Sequence, residues 1–352
     1  MKPAKIIALH TDTPSPCYTQ SEIAEMFVAS LNVPDERRGK AIRRVMEKSG
    51  VAFRHIVAGP EFYSEPRSTQ QRNDRYMAEA LPLGEQVIRR GLMASGLTAQ
   101  DVDGLVIVSC TGFNTPGLDL LLARDLAMPH NLNRTCVLGM GCYGAFPGIK
   151  RAWESVSAGV ASRALVLSME LCSLHLQIDD SADSVVSTSL FADGAGMVLL
   201  GSPDSPGNYP TLIDAETYCD YQTLDHMTFD VTDNGFRMTL SSYVPDVLKA
   251  NVGGFAERLL SRNGLDVADV KHWAIHPGSQ RIVEYIQAEL GLAEAQVRPS
   301  LDTLREYGNM SSATVLFVLE RIMRDCAPKP GDYGVMMAFG PGLTMESILL
   351  RW

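Results

Sequence analysis

No stretch of this 352-residue chain approaches the roughly 18 consecutive apolar residues that a membrane-spanning helix needs. The opening segment MKPAKIIALHTDTPS holds an apolar run of only four residues, too short for the hydrophobic region of a secretory leader. A disulfide or zinc framework is missing as well. The seven cysteines (Cys17, Cys110, Cys136, Cys142, Cys172, Cys219 and Cys326) are odd in number and widely spaced, with no CxxC pair and no finger-like spacing to histidines. That pattern fits a reduced protein, with no resident metal expected. Positive charge is in deficit: 31 Lys and Arg against 41 Asp and Glu leave a net charge of −10. The chain therefore has no overall electrostatic footprint for nucleic acid or an anionic membrane surface. Low-complexity segments and short-period repeats are also lacking. What remains reads as a soluble, cytoplasmic, globular protein with 45% hydrophobic and 20% charged residues.

Short apolar runs that end in Gly, Ser or Thr recur along the chain: KIIALH, GLVIVSCTG, TCVLGMG, RALVLSME, GAGMVLLG, HWAIHPG, YGVMMAFGPG and MESILLRW. Between many of them lie stretches of helical period such as PLGEQVIRRGLMASGL and SATVLFVLERIMRDC, the latter read as a long amphipathic helix. This alternation predicts an α/β protein with largely buried strands. The Pro- and Gly-bearing segment GSPDSPGNYP, residues 201–210, marks the internal boundary and divides the chain into halves 1–205 and 206–352. Each half closes on a small-residue turn followed by an apolar strand, LFADGAGMVLLG and MAFGPGLTMESILLRW, which hints at duplication of one α/β unit.

Four stretches bear on chemistry. In CVLGMGCYGAFPGIKRA, Cys142 lies between a strand-like and a helix-like run, where free backbone N–H groups and the helix dipole favour a thiolate. The same residue also suits a small core position, and the local sequence leaves both readings open. His276 ends the strand run HWAIH and precedes Pro-Gly, the position outside a strand's carboxyl end where α/β proteins place functional groups. Asn309, in REYGNMSSATVLF, is either a helix N-cap or an amide donor for a developing oxyanion. Gly340, Pro341 and Gly342 form a rigid turn between two strands. A basic stretch, RRGKAIRRVMEK (37–48), has Arg or Lys at six of twelve positions and is either a solvated helix face or a landing strip for phosphates.

Together the blocks SCTGFNTPGLD, GMGCYGA, LFADGAG, AIHPG, YGNMSSATVLFVLE and FGPGLTMES resemble the type III polyketide synthases, the chalcone-synthase-like branch of the thiolase superfamily, over nearly the whole chain. The resemblance implies a thiolase-like fold of two duplicated halves in αβαβα layers, usually a homodimer. It implies an acyltransferase that uses acyl-CoA starters and malonyl-CoA as substrates and needs no other cofactor. Cys142 then accepts the acyl starter, His276 pairs with the thiolate, and His276 with Asn309 stabilises the enolate formed by decarboxylation. A β-ketoacyl-carrier-protein synthase III-like enzyme carries the same three residues and is the alternative.

The same resemblance assigns further positions. Phe191 matches one of two aromatic gatekeepers, while Met238 stands at the other, a flexible residue in place of Phe. Arg44 and Lys48 match positions that hold the CoA phosphates; a third basic position falls at Ala41, with Lys40 beside it. The cavity is expected to include Thr111, Cys172, His175, Ser311 and the Gly340-Pro341-Gly342 turn. Thr115 takes the place of the residue that a partner subunit inserts. Cys172 and His175 replace plant threonines, a pattern nearer to bacterial members with small resorcinol, naphthalene or pyrone products.

Overall fold

The computed structural model describes residues 2–31, 36–240 and 244–352. The first part runs β1 (Ala4–Asp12), β2 (Cys17–Thr19), α1 (Gln20–Ser30), α2 (Glu36–Glu47), β3 (Phe53–His55), α3 (Thr69–Ala94), β4 (Gly104–Ser109), α4 (Leu118–Asp125), β5 (Asn133–Leu138), α5 (Ala145–Ser157), β6 (Ala164–Leu171), α6 (Ala182–Leu190) and β7 (Asp193–Gly201). The second runs β8 (Thr211–Cys219), β9 (Met227–Thr232), β10 (Gly235–Leu240), α7 (Val244–Ser261), β11 (Val270–Ile275), α8 (Gln280–Leu290), α9 (Glu294–Tyr307), α10 (Thr314–Arg321), β12 (Tyr333–Gly340) and β13 (Thr344–Arg351).

Nine strands form one hydrogen-bonded sheet in the order β11-β12-β13-β8-β1-β7-β6-β4-β5. Within it one unit occurs twice. Strands β4-β6-β7-β1 and β11-β12-β13-β8 follow the same spatial order, each with one parallel and then two antiparallel pairings. The two units meet at a narrow seam, where Ala4 lies opposite Leu212 and Lys5 opposite Thr211. Among the described residues the second unit has no counterpart of β5.

Apolar residues on both faces of the strands explain the layering. In β4, Val106 and Val108 face α5 and α10, while Leu105 and Ile107 face α3 and α4. On the other side Met336 and Ala338 of β12 meet the same two central helices, and Val335 and Met337 meet α7, α8 and α9. The sheet therefore folds around α5 and α10, and the order is helix, sheet, helix, sheet, helix. This is the thiolase-like αβαβα architecture.

Two sequence readings change here. The helix expected to be amphipathic is buried from Thr314 through Leu319, because it occupies the central layer and meets apolar side chains all round; past Arg321 it runs on as a π-helical turn, Ile322–Cys326, that emerges into solvent. Strand β5, read as buried, is half exposed because it forms the free edge of the sheet. The duplication places the starts of both central helices together, close to the carboxyl ends of β4 and β11, and the reactive side chains gather there.

Candidate active site

Two left-handed glycines, Gly139 and Gly141 (φ +72° and +71°), turn the chain out of β5. A single 3₁₀ turn, Gly141–Tyr143, then delivers Cys142 to the approach of α5. The glycines of this loop interlock with the Gly340-Pro341-Gly342 turn. A Cβ on Gly141 would stand 2.5 Å from Cδ of Pro341, and one on Gly340 would stand 2.7 Å from Cδ1 of Tyr143. Tyr143 therefore closes the back of the loop against Gly340, with its hydroxyl 3.7 Å from Sδ of Met140.

Cys142, His276 and Asn309 line one cavity of about 100 Å³, fed by both halves of the chain. His276 follows β11 directly, and its backbone N–H donates to the Met337 carbonyl at 2.8 Å. His276 is 1% exposed, and neither ring nitrogen has a partner among the described residues. A buried polar group left open in this way is poised for a ligand. Asn309 is not an N-cap, since Met310 precedes the 3₁₀ turn and Ala313 caps α10. Its Oδ1 accepts from the Ser311 N–H at 2.8 Å, and its Nδ2 makes one long bond, 3.3 Å, to the Gly278 carbonyl. With the carbonyl end committed, the amide presents N–H to the cavity.

Burial acts against charge on both titrating groups. The Cys142 thiol is pushed up to about 11, chiefly by desolvation, although bonds to Ser311 and Asn309 favour its thiolate. The His276 ring is pulled down to about 3 by burial. An ion pair between them must therefore draw its stability from mutual attraction and not from the surroundings.

A buried carboxylate, unnoticed from sequence, organises the wall behind the thiol. Glu170 of β6 accepts bonds from the Thr111 hydroxyl at 2.7 Å, the Cys110 N–H at 3.0 Å and the Ser312 hydroxyl, with no cation paired to it among the described residues. Desolvation raises its pKa. Cys110 lies 3.4 Å from Glu170 and 3.2 Å from the Ser311 hydroxyl. The thiols of Cys110 and Cys172 are held well above their usual range, first by burial and then by Glu170. A lone Glu inside the apolar run RALVLSMEL was the available signal.

Among the other expected residues, Phe191, Met238, Cys172, His175, Ser311 and Pro341 line the cavity. Thr111, Gly340, Gly342 and Thr115 do not. Thr111 stands behind the wall, where its hydroxyl is spent on Glu170 and on the Leu171 N–H. Gly340 faces Tyr143, and Gly342, at φ +67°, reverses the chain in its turn. Thr115 is exposed on the surface, before the cis peptide to Pro116. His175 is a fixed strut: Nε2 lies 2.7 Å from the Thr111 carbonyl, and Nδ1 accepts the Phe236 N–H at 3.1 Å. Its ring stacks on Phe236 at 4.2 Å, and burial lowers its pKa to about 4, so it stays neutral. Phe229 and Phe236, from the β9–β10 hairpin, complete the apolar lining and were not anticipated.

The basic stretch forms α2, and its cations divide into two groups. Lys40 pairs with Glu36 at 2.7 Å, Arg43 with Glu25 at 2.7 Å, and Arg38 with Asp180 at 2.6 Å. Arg44 and Lys48 are exposed and have no carboxylate partner among the described residues. No group of His, Cys, Asp and Glu suited to a metal ion occurs among the described residues, and no helix there is long and apolar enough to cross a membrane.

Comparison with known proteins adds an independent result. The family described as chalcone and stilbene synthases matches with its N-terminal domain over residues 1–204 and its C-terminal domain over 217–352. The chain is 34% identical over 351 residues to 1,3,6,8-tetrahydroxynaphthalene synthase of Streptomyces peucetius subsp. caesius, covering 99% of this chain and 93% of that protein. It is 32% identical over 342 residues to 3,5-dihydroxyphenylacetyl-CoA synthase of Amycolatopsis balhimycina, covering 95% and 89% respectively. Among solved structures, 1,3,6,8-tetrahydroxynaphthalene synthase of Streptomyces coelicolor A3(2) superimposes with a TM-score of 0.92 at 29% identity, over 99% of each chain.

Proposed function

Because the chain belongs to the chalcone and stilbene synthase family and is a type III polyketide synthase, we propose that Cys142, His276 and Asn309 carry out its decarboxylative condensations. The observation behind these assignments is that the three residues, drawn from two halves of the chain, face one largely apolar cavity. The Cys142 sulfur attacks the carbonyl of an acyl-CoA starter, CoA leaves as its thiol, and the proton passes through His276. Because burial keeps that imidazole neutral, one nitrogen can accept a proton while the other donates. Malonyl-CoA then sets its thioester oxygen against His276 and the Asn309 amide. Loss of carbon dioxide leaves an enolate that these donors stabilise, and its carbon attacks the thioester on Cys142. The sulfur leaves, the extended chain is reloaded, and the poly-β-keto product closes to an aromatic or pyrone ring. Met238 beside Phe191 leaves a softer gate than two aromatic rings.

The test needs only purified protein, an acyl-CoA panel and malonyl-CoA. Carbon dioxide and a ring-bearing product should appear without carrier protein. Turnover that requires acylated carrier protein assigns the chain to the carrier-protein condensing enzymes instead.

Two further outcomes follow from the same roles. Iodoacetamide labelling of Cys142, followed by peptide mass spectrometry, should climb in His276→Ala toward the thiol's own value of about 11. The native profile should level off at lower pH, because His276 takes the proton. Coincident profiles would remove His276 from thiol activation. Replacing both Arg44 and Lys48 by Ala should raise KM for malonyl-CoA roughly tenfold with kcat unchanged, since the exposed cations meet phosphate and not the reacting carbon. The difference should shrink at high ionic strength, and an unchanged KM at low salt places the phosphates elsewhere.

The free edge of β5 supports a homodimer. It ends at the exposed Leu138, with the exposed Met140 two residues on, and Phe113, Thr115 and Leu120 are exposed in the segment that follows β4, the strand paired with β5. An unpaired strand edge beside apolar side chains suits pairing with a second copy. All seven cysteines are free, which suits a reducing cytoplasm.

A further inference from the structure

We infer that Arg54 is a positioning residue for the Asn309 amide and the Phe191 gate; this rests on the roles proposed above. Arg54 is wholly buried on β3, and no carboxylate pairs with it among the described residues. The buried Asp193 carboxylate favours its charge through space but does not contact it, so what the N–H groups hold directly is informative. Nη1 donates to the carbonyls of Thr188 and Phe191, the latter at 3.0 Å, and Nη2 donates to Oε1 of Gln20 at 2.8 Å. The charge thus caps the carbonyl end of α6, where the helix dipole favours a cation.

The segment it grips is joined to Asn309. The Asn309 N–H donates to the Leu190 carbonyl at 2.8 Å, and the Ala192 N–H donates to the Asn309 carbonyl at 2.9 Å, so Phe191 and Asn309 form a parallel bridge. Arg54 also supports the bridge from the Asn309 side. A Cβ on Gly308, which has φ +74°, would lie 2.9 Å from Cγ of Arg54 and 2.9 Å from the Leu190 carbonyl. Only glycine admits the guanidinium stem there. Gln20 carries the connection outward: its Nε2 donates to the carbonyls of Met46 and Ser189, both at 2.9 Å, and to the Ser49 hydroxyl at 2.8 Å. Met46 lies on α2, the helix of Arg44 and Lys48. One buried side chain and its amide partner therefore tie the cationic helix, the gate and the oxyanion donor into a single frame.

The test is Arg54→Lys, which keeps the charge but cannot reach three acceptors with the same fork. In the native enzyme malonyl-CoA should release carbon dioxide. In the variant kcat for that release should fall by about 10- to 100-fold, with KM within about twofold, because a displacement of around 1 Å in a reacting group has that effect. Silence of the native enzyme overturns the underlying roles. An active native enzyme with an unchanged variant kcat, or a loss confined to KM, overturns the inference alone. A second readout does not depend on activity. Hydrogen exchange at the Asn309 and Ala192 amides should accelerate in the variant, while the buried β4 amides keep their protection. Unchanged exchange at the bridge, or a loss spread over the whole chain, counts against Arg54 as a positioning residue.

Discussion

Exchange of Cys142 for Ala should cut polyketide formation by on the order of 10⁴-fold or more, because the step that stores the acyl group loses its nucleophile. The substitution removes one sulfur from a cavity wall and no backbone support, since the loop is held by Gly141 against Pro341 and by Tyr143 against Gly340. The fold should therefore persist. The neighbouring thiols are poor substitutes: burial and Glu170 keep Cys110 and Cys172 protonated. Intact-mass measurement after incubation with an acyl-CoA should show the added acyl group in the native protein and none in the variant. Carbon dioxide should still leave malonyl-CoA, because His276 and Asn309 remain in place. Retained acyl mass would transfer the nucleophile's role to another cysteine.

Asn309→Asp separates scaffolding from chemistry. A carboxylate oxygen can still accept the Ser311 N–H, so the turn into α10 is preserved. The side chain loses both N–H donors and faces the developing enolate with like charge. Loss of one oxyanion donor lowers turnover by about 10²–10³-fold, and carbon dioxide release should fall at least that far. Loading of Cys142 should slow much less, since the amide is only one of several groups favouring the thiolate. Carbon dioxide release within tenfold of native would place the oxyanion donors elsewhere.

The framework of the fold was legible because buried strands write themselves as continuous apolar runs. Gly104–Ser109, Ala164–Leu171 and Tyr333–Gly340 each coincide with an apolar run of the sequence. The same rule misread β5, the strand at the free edge of the sheet, because a run of hydrophobic residues does not say whether a neighbouring strand is present. It also misread α10, where burial on all sides depends on two sheets that the local sequence does not contain. Within the site, the places of Cys142, His276 and Asn309 at element ends left packing and capping readings open, and only the six blocks taken together singled the three residues out. Of the Gly340-Pro341-Gly342 turn expected at the cavity, Pro341 lines it while Gly340 packs on Tyr143 behind it, since sequence gives the reversal but not which of its residues reaches the surface. Glu170 and Arg54 escaped notice for a related reason: each lies in or beside a strand and acts through acceptors or donors far away in the chain.

The repeated unit has a consequence for where catalysis resides. On the roles proposed above, the nucleophile belongs to one copy and the imidazole and amide to the other, and the two copies touch through a seam of two residue pairs and the shared central helices. Neither copy is a weaker version of the enzyme; each is an incomplete subunit. On those roles the chain is comparable to a heterodimer whose partners share one polypeptide, with segment 202–210 as the tether that would keep their effective concentration high.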